Sequence, residues 1–183
     1  MNKLFALKTS VIAVAMLTLP VAFAATITKA EYNASKARIG ANYKTDKAAC
    51  GALSGNAKDI CGEEAKGKQT VARAELEYAL SAKSADQNKV LVAKAKATYA
   101  VAKERCDDKS GNVKDVCVQE AKAAETKALA DAKMGKQIVE AKKDAATDKR
   151  DADYKVAVEK CDAMSGDAKS SCMTTAKTTY GKN

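Results

Sequence analysis

The chain has 183 residues, with 32 Lys and Arg against 23 Asp and Glu, a formal charge of +9, and no histidine or tryptophan. Without histidine, acid–base and nucleophilic catalysis lose their usual mediator near neutral pH, which argues against most enzyme classes. The basic side chains are interspersed with acidic ones rather than gathered into a block, the pattern of a solvated helical surface.

Residues 1–24 (MNKLFALKTSVIAVAMLTLPVAFA) read as a secretory signal peptide. Lys3 and Lys8 give a positive start, an apolar run too short to span a bilayer follows, and Ala22-Phe23-Ala24 makes a small-x-small cleavage site. The expected mature chain therefore begins at Ala25, carries no transmembrane anchor and is periplasmic or secreted. Its 159 residues keep 30 Lys and Arg (32 less Lys3 and Lys8) and all 23 acids, a formal +7. They hold 34 alanines but only 19 Leu, Ile and Val. So little apolar volume belongs to the disordered range, yet alanine, lysine and glutamate are strong helix formers. The expectation is long helices around a thin core.

The first helix is expected over residues 28–54, with Thr28 as a possible cap and Tyr32, Ile39, Tyr43 and Cys50 on one stripe. A second runs over 57–80, with Ile60, Val71, Ala74 and Tyr78 on one face. The run SAKSADQN (81–88) lacks a large apolar residue and reads as a turn. A third helix covers 90–109, striped by Leu91, Ala95, Tyr99, Ala102 and Cys106. Residues 113–164 show no comparable break and allow either one long helix or two, with Gly135 as the best place for an interruption. A short last helix covers 168–180.

All six cysteines fall in three copies of one motif: CGALSGNAKDIC (50–61), CDDKSGNVKDVC (106–117) and CDAMSGDAKSSC (161–172). The wider pattern is A-x-Y-x6-C-x3-S-G-[ND]-x-K-x2-C-x3-A-K, and its tyrosines, Tyr43, Tyr99 and Tyr154, are expected in the repeat core. Each copy reads as the turn of an antiparallel helical hairpin. Gly55, Gly111 and Gly166 close the first helix in the left-handed conformation, and Asn56, Asn112 and Asp167 cap the second. Bridges Cys50–Cys61, Cys106–Cys117 and Cys161–Cys172 close the shortest loops. Small neighbours, Ala49, Ala52 and Ala57, are expected to let the first hairpin close. The spacing of ten and the lack of histidine do not suit zinc, and no C-x-x-C or glycine-rich phosphate loop occurs.

The expected fold class is all-α: disulfide-stapled antiparallel hairpins in an elongated bundle or helical repeat. Its units are the signal peptide (1–24), hairpin 1 (25–84), hairpin 2 (85–136) and a shorter hairpin 3 (137–183). Segments such as AKATYAVAKERC and EAKAAETKALADAK resemble exported, uncharacterised proteobacterial proteins often labelled TolA-like, which share the C-x3-SG[ND]-x-K-x2-C turns. The resemblance implies an exported helical protein and no particular activity. TolA's own membrane anchor and globular C-terminal domain are not evident, so no Tol-system role is implied.

The expected function is non-enzymatic, a periplasmic structural or interaction protein without cofactor, catalytic or metal-site residues. Its partner would be a protein or an envelope component, with weak contact to anionic surfaces and no specific nucleic acid. A module binding anionic envelope polymers or metal ions, and a stress-protective hydrophilic helical protein, are the alternatives.

Overall fold

A computed structural model describes residues 27–182. The expected signal peptide lies outside them. The described chain is five helices with no strand: α1 (Lys29–Ala49), α2 (Gly55–Ser81), α3 (Ser84–Cys106), α4 (Gly111–Asp162) and α5 (Gly166–Tyr180). The alanine- and lysine-rich composition favours this outcome, because it supplies helix propensity without enough large side chains for a sheet core.

Local chemistry sets the ends. Thr28 starts α1 with a reciprocal capping box: its Oγ1 accepts from the Glu31 N–H at 3.2 Å, and Glu31 Oε2 accepts from the Thr28 N–H at 2.8 Å. The Thr28 N–H and, next, the Thr28 hydroxyl, both donating to Glu31 Oε2 at 2.8 Å, hold the Glu31 carboxyl below its ordinary value. The helix α1 ends at Ala49, earlier than the expected residue 54, and passes into a short 3-10 turn, Cys50–Ala52. The α2–α3 break is two residues rather than eight. Ala82 adopts a left-handed conformation (φ 51°), and its N–H donates to the Tyr78 carbonyl at 2.8 Å.

The open question about residues 113–164 resolves to one helix. With 52 residues, α4 is about 78 Å long at 1.5 Å per residue. Gly135 sits inside it and interrupts nothing. The expected boundary at 136/137 therefore falls within a continuous helix that belongs to both hairpin 2 and hairpin 3.

The packing is serial. Helix α1 lies against α2, α2 against α3, α3 against the first half of α4, and α5 against the last part of α4. Among the described residues no other pair of helices meets. This is a helical repeat in one layer rather than a bundle around a shared centre. The buried hydrophobic set is accordingly three cysteines, five alanines and only two larger aliphatics, Leu76 and Val90. Helix α2 is buried on two sides, so Leu76, Ala65 and Gly67 lie deeper than the single face expected from Ile60, Val71, Ala74 and Tyr78, which are half-buried. Leu91, expected in the α3 stripe, is instead 48% exposed.

Candidate functional site

The three cysteine turns are near copies in space as in sequence. Bridges Cys50–Cys61, Cys106–Cys117 and Cys161–Cys172 join the two helices of each hairpin at Cα separations of 5.6, 5.7 and 5.6 Å. That is the usual span of a disulfide and less than a typical helix–helix distance. The first cysteine of each pair is buried, and so is the alanine four residues beyond the second: Ala65, Ala121 and Ala176. Ala49, Ala52 and Ala57, expected to line the contact, are exposed. The small residue that permits the approach sits one helical turn further from the bend.

Gly55, Gly111 and Gly166 are left-handed, with φ of 54°, 54° and 59°. Their place in the turn differs from the expectation. Each follows an extended serine, Ser54, Ser110 or Ser165, and opens the second helix rather than closing the first. A few irregular residues already separate the first helix from the glycine, so the N-cap position falls on the serine. Asn56, Asn112 and Asp167 are consequently inside the helix and do not cap it. Asn56 Nδ2 instead donates to the Glu104 carbonyl at 2.9 Å, tying turn 1 to the end of α3. Asn112 and Asp167 are exposed.

The motif lysine has a role that spacing alone did not suggest. Lys114 reaches across turn 2 to Asp107 at 2.8 Å, and Lys169 across turn 3 to Asp162 at 2.9 Å. The Lys114 ammonium holds the Asp107 carboxyl below its ordinary value. Turn 1 has Lys58 but carries Gly51 in place of the aspartate. The sequence sign of the pair is the shared spacing in copies 2 and 3, Asp one residue after the first cysteine and Lys eight after it.

The motif tyrosines are half-buried against their hairpin partners. Tyr154 meets Tyr180 edge-on at 6.2 Å, the Lys47 ammonium lies 5.9 Å from the Tyr43 ring centre, and Tyr99 lines the α3–α4 recess. The Tyr32 hydroxyl donates to the Glu77 carboxylate, which pushes the tyrosine up from its ordinary value.

Between the hairpins lies an open recess of about 560 Å³, floored by Gly67, Val71, Ala97 and Val101 of α2 and α3. A second, about 430 Å³, lies between α3 and α4. Lys94, Thr98 and Ala102 line both, so the two recesses form one strip across a single face of the layer. Lys68, Lys94 and Arg105 rim the first recess, and each is paired: to Asp46 at 3.6 Å, Glu75 at 2.8 Å and Glu64 at 2.8 Å. The strip is therefore apolar along its floor and largely neutralised at its edge.

Among the described residues no group of three or more Cys, Asp or Glu is arranged to hold a metal ion, and no helix is long and apolar enough to cross a membrane. Compared with family models, characterised proteins and solved structures, the chain matches none.

Proposed function

We propose that this is a non-enzymatic structural or interaction protein of an oxidising envelope compartment, the periplasm, that offers the face of α2, α3 and α4 to a partner. The observation that carries the reading is the serial packing. Among the described residues each helix touches only its chain neighbours, which leaves the apolar strip of Val71, Ala97 and Val101 half-exposed. The closed disulfides are compatible with export, since such bridges persist outside the reducing cytosol. Photo-crosslinking from Thr98 in intact cells, with Val101→Asp as the control, tests it. Adducts on one defined envelope component that vanish in the variant, with helicity unchanged, are expected. Adducts that survive Val101→Asp would remove the strip from the proposal.

The net positive charge of the chain, 32 Lys and Arg against 23 Asp and Glu, favours a second, weaker activity toward anionic envelope polymers. Lys68, Lys94 and Arg105 already face carboxylates. At ~0.15 M salt the Debye length is about 8 Å, so such contact is screened. Binding to anionic vesicles should be strong only at low salt. Binding that persists at high salt would point to an apolar contact instead.

A further inference from the structure

The packing of α2 on α3 has an unmet counterpart further along the chain. The repeat maps α2 onto the first half of α4 with an offset of 56, and α3 onto the second half with an offset of 55. Because α4 is straight, these two halves cannot pack on each other as α2 and α3 do. The edge that α2 turns to α3 therefore recurs, uncovered, at Ala123, Ala130 and Met134. The edge that α3 turns to α2 recurs at Ala145, Ala152 and Val156. All six are exposed, Met134 and Val156 each by 55%.

The polar contacts of the α2–α3 interface recur as well. Its ion pairs are Lys94–Glu75 and Arg105–Glu64, both at 2.8 Å. The equivalent positions hold Lys149 with Asp131, and Lys160 with Glu120, so both pairs keep their signs. The bond from Asn56 to the Glu104 carbonyl has its equivalent in Asn112 and Glu159. Met134 replaces Tyr78, and Val156 repeats Val101.

We propose that two copies of the chain complete this interface reciprocally, as a dimer of antiparallel α4 helices related by a twofold axis near Glu140. The ion pairs then join residue 120 of one copy to 160 of the other and 131 to 149, and the close approach of Gly67 to Ala97 maps to 123 against 152, a few residues off that centre. Each copy supplies both edges, as an isologous interface requires, and the arrangement is a swap of hairpin 3. Glu140 would meet its own copy at the axis, but Lys136 lies opposite Asp144 on either side of it. The match is imperfect: Ala145 stands at the equivalent of the buried Val90, and Met134 at that of Tyr78. A Cβ at Gly67 would lie 2.9 Å from the Ala97 Cβ, and Ala123 stands at the equivalent of Gly67, so the α4 helices sit further apart. Lys127 replaces Val71. The dimer is therefore weaker than the α2–α3 contact and reversible. It leaves the α2–α3 recess free, and so it stands apart from the proposed partner face.

Charge exchange tests it with the oxidised chain. Glu120→Lys with Asp131→Lys sets lysine against lysine, and Lys149→Glu with Lys160→Glu sets acid against acid. Light scattering behind a sizing column should give a concentration-dependent dimer for the unaltered chain. Each double variant should dissociate roughly tenfold or more readily. An equimolar mixture of the two variants should recover the dimer, because every contact is again between opposite charges. Circular dichroism matched to the unaltered chain checks folding. A monomer up to ~1 mM, double variants that dimerise as before, or a mixture that stays monomeric would each overturn the proposal.

Discussion

Equivalent stretches of the repeat join hairpin 1 to hairpin 2 and hairpin 2 to hairpin 3, yet the first folds back and the second runs straight. At the first, Ser81 Oγ accepts from the Lys83 N–H at 3.2 Å and donates to Asp86 Oδ2 at 2.6 Å, while Lys89 reaches Asp86 Oδ1 at 2.6 Å. These side chains offer the backbone partners outside the helical ladder. At the second, residues 137–141 read QIVEA, and no short polar side chain competes there. The ladder is then the simplest way to satisfy the backbone, and the helix continues. The chain direction of a repeat protein can thus turn on two or three polar residues, while the hairpins on either side stay alike.

The largest expected effect separates the two regions by their dependence on the staples. In hairpin 3, α5 packs, among the described residues, only on α4 and has 15 residues, close to the limit for an isolated helix. Replacing Cys161 and Cys172 by alanine should cost about 3 kcal/mol locally. Amide exchange should show α5 opening well before α3, which is held on both sides. Equal protection of α5 and α3 in that variant would erase the distinction.

Two glycines sharpen the comparison by responding oppositely to one substitution. Gly67 is buried where α2 meets α3, and an added Cβ would lie 2.9 Å from the Ala97 Cβ. Gly67→Ala should destabilise by about 1–2 kcal/mol, overpacking outweighing the helix propensity gained. Gly135 has open space around it in the straight helix. Gly135→Ala should stabilise by about 1 kcal/mol. Denaturant melts of both variants suffice, and effects of equal sign would contradict the assignment of one glycine to packing and the other to none.

At the folded junction, Ala82 holds a left-handed conformation that carries a Cβ penalty. Ala82→Gly should stabilise by about 0.5–1 kcal/mol, once glycine's larger unfolded-state entropy is counted. No gain on thermal melting would mean the turn relaxes away from φ 51° in solution.

The smallest effect is on pH. Asp86 is held below its ordinary 3.8, first by the bond from Lys89 and then by that from Ser81. A depressed carboxyl contributes stability above its unfolded value and loses it as the pH falls through the folded one. Acidification below the ordinary aspartate range should therefore loosen residues 81–86 while leaving the straight junction unchanged. Exchange at the Lys83 amide, compared with Asp86→Asn, reads this directly.

The cysteine spacing made the fold legible, because three equal short loops have one economical pairing and demand a hairpin each. Thr28 was legible for the same local reason. The caps were not. Asn56 looks like an N-cap by residue type, but the glycine φ shifts the N-cap position to Ser54, whose side chain makes no capping bond, and backbone sign is not written in side-chain chemistry. The core was legible only in part. The tyrosine stripes and the C-x3-A-K alanines, Ala65, Ala121 and Ala176, all recur in the sequence, but an alanine's side chain carries no sign that it is the buried member of the repeat. The straightness of α4 was undecidable from Gly135, since a helix interior tolerates one glycine where nothing offers the backbone an alternative.

Every bridge closes within its own hairpin, and none joins one hairpin to the next. The 43 residues of α4 between Cys117 and Cys161 thus carry no covalent tie across the junction, a span of about 66 Å as helix. Hairpins can trade neighbours, within a chain or between chains, without breaking a sulfur–sulfur bond. The rate of such exchange should be indifferent to thiol-blocking reagents and governed only by the unfolding of helix.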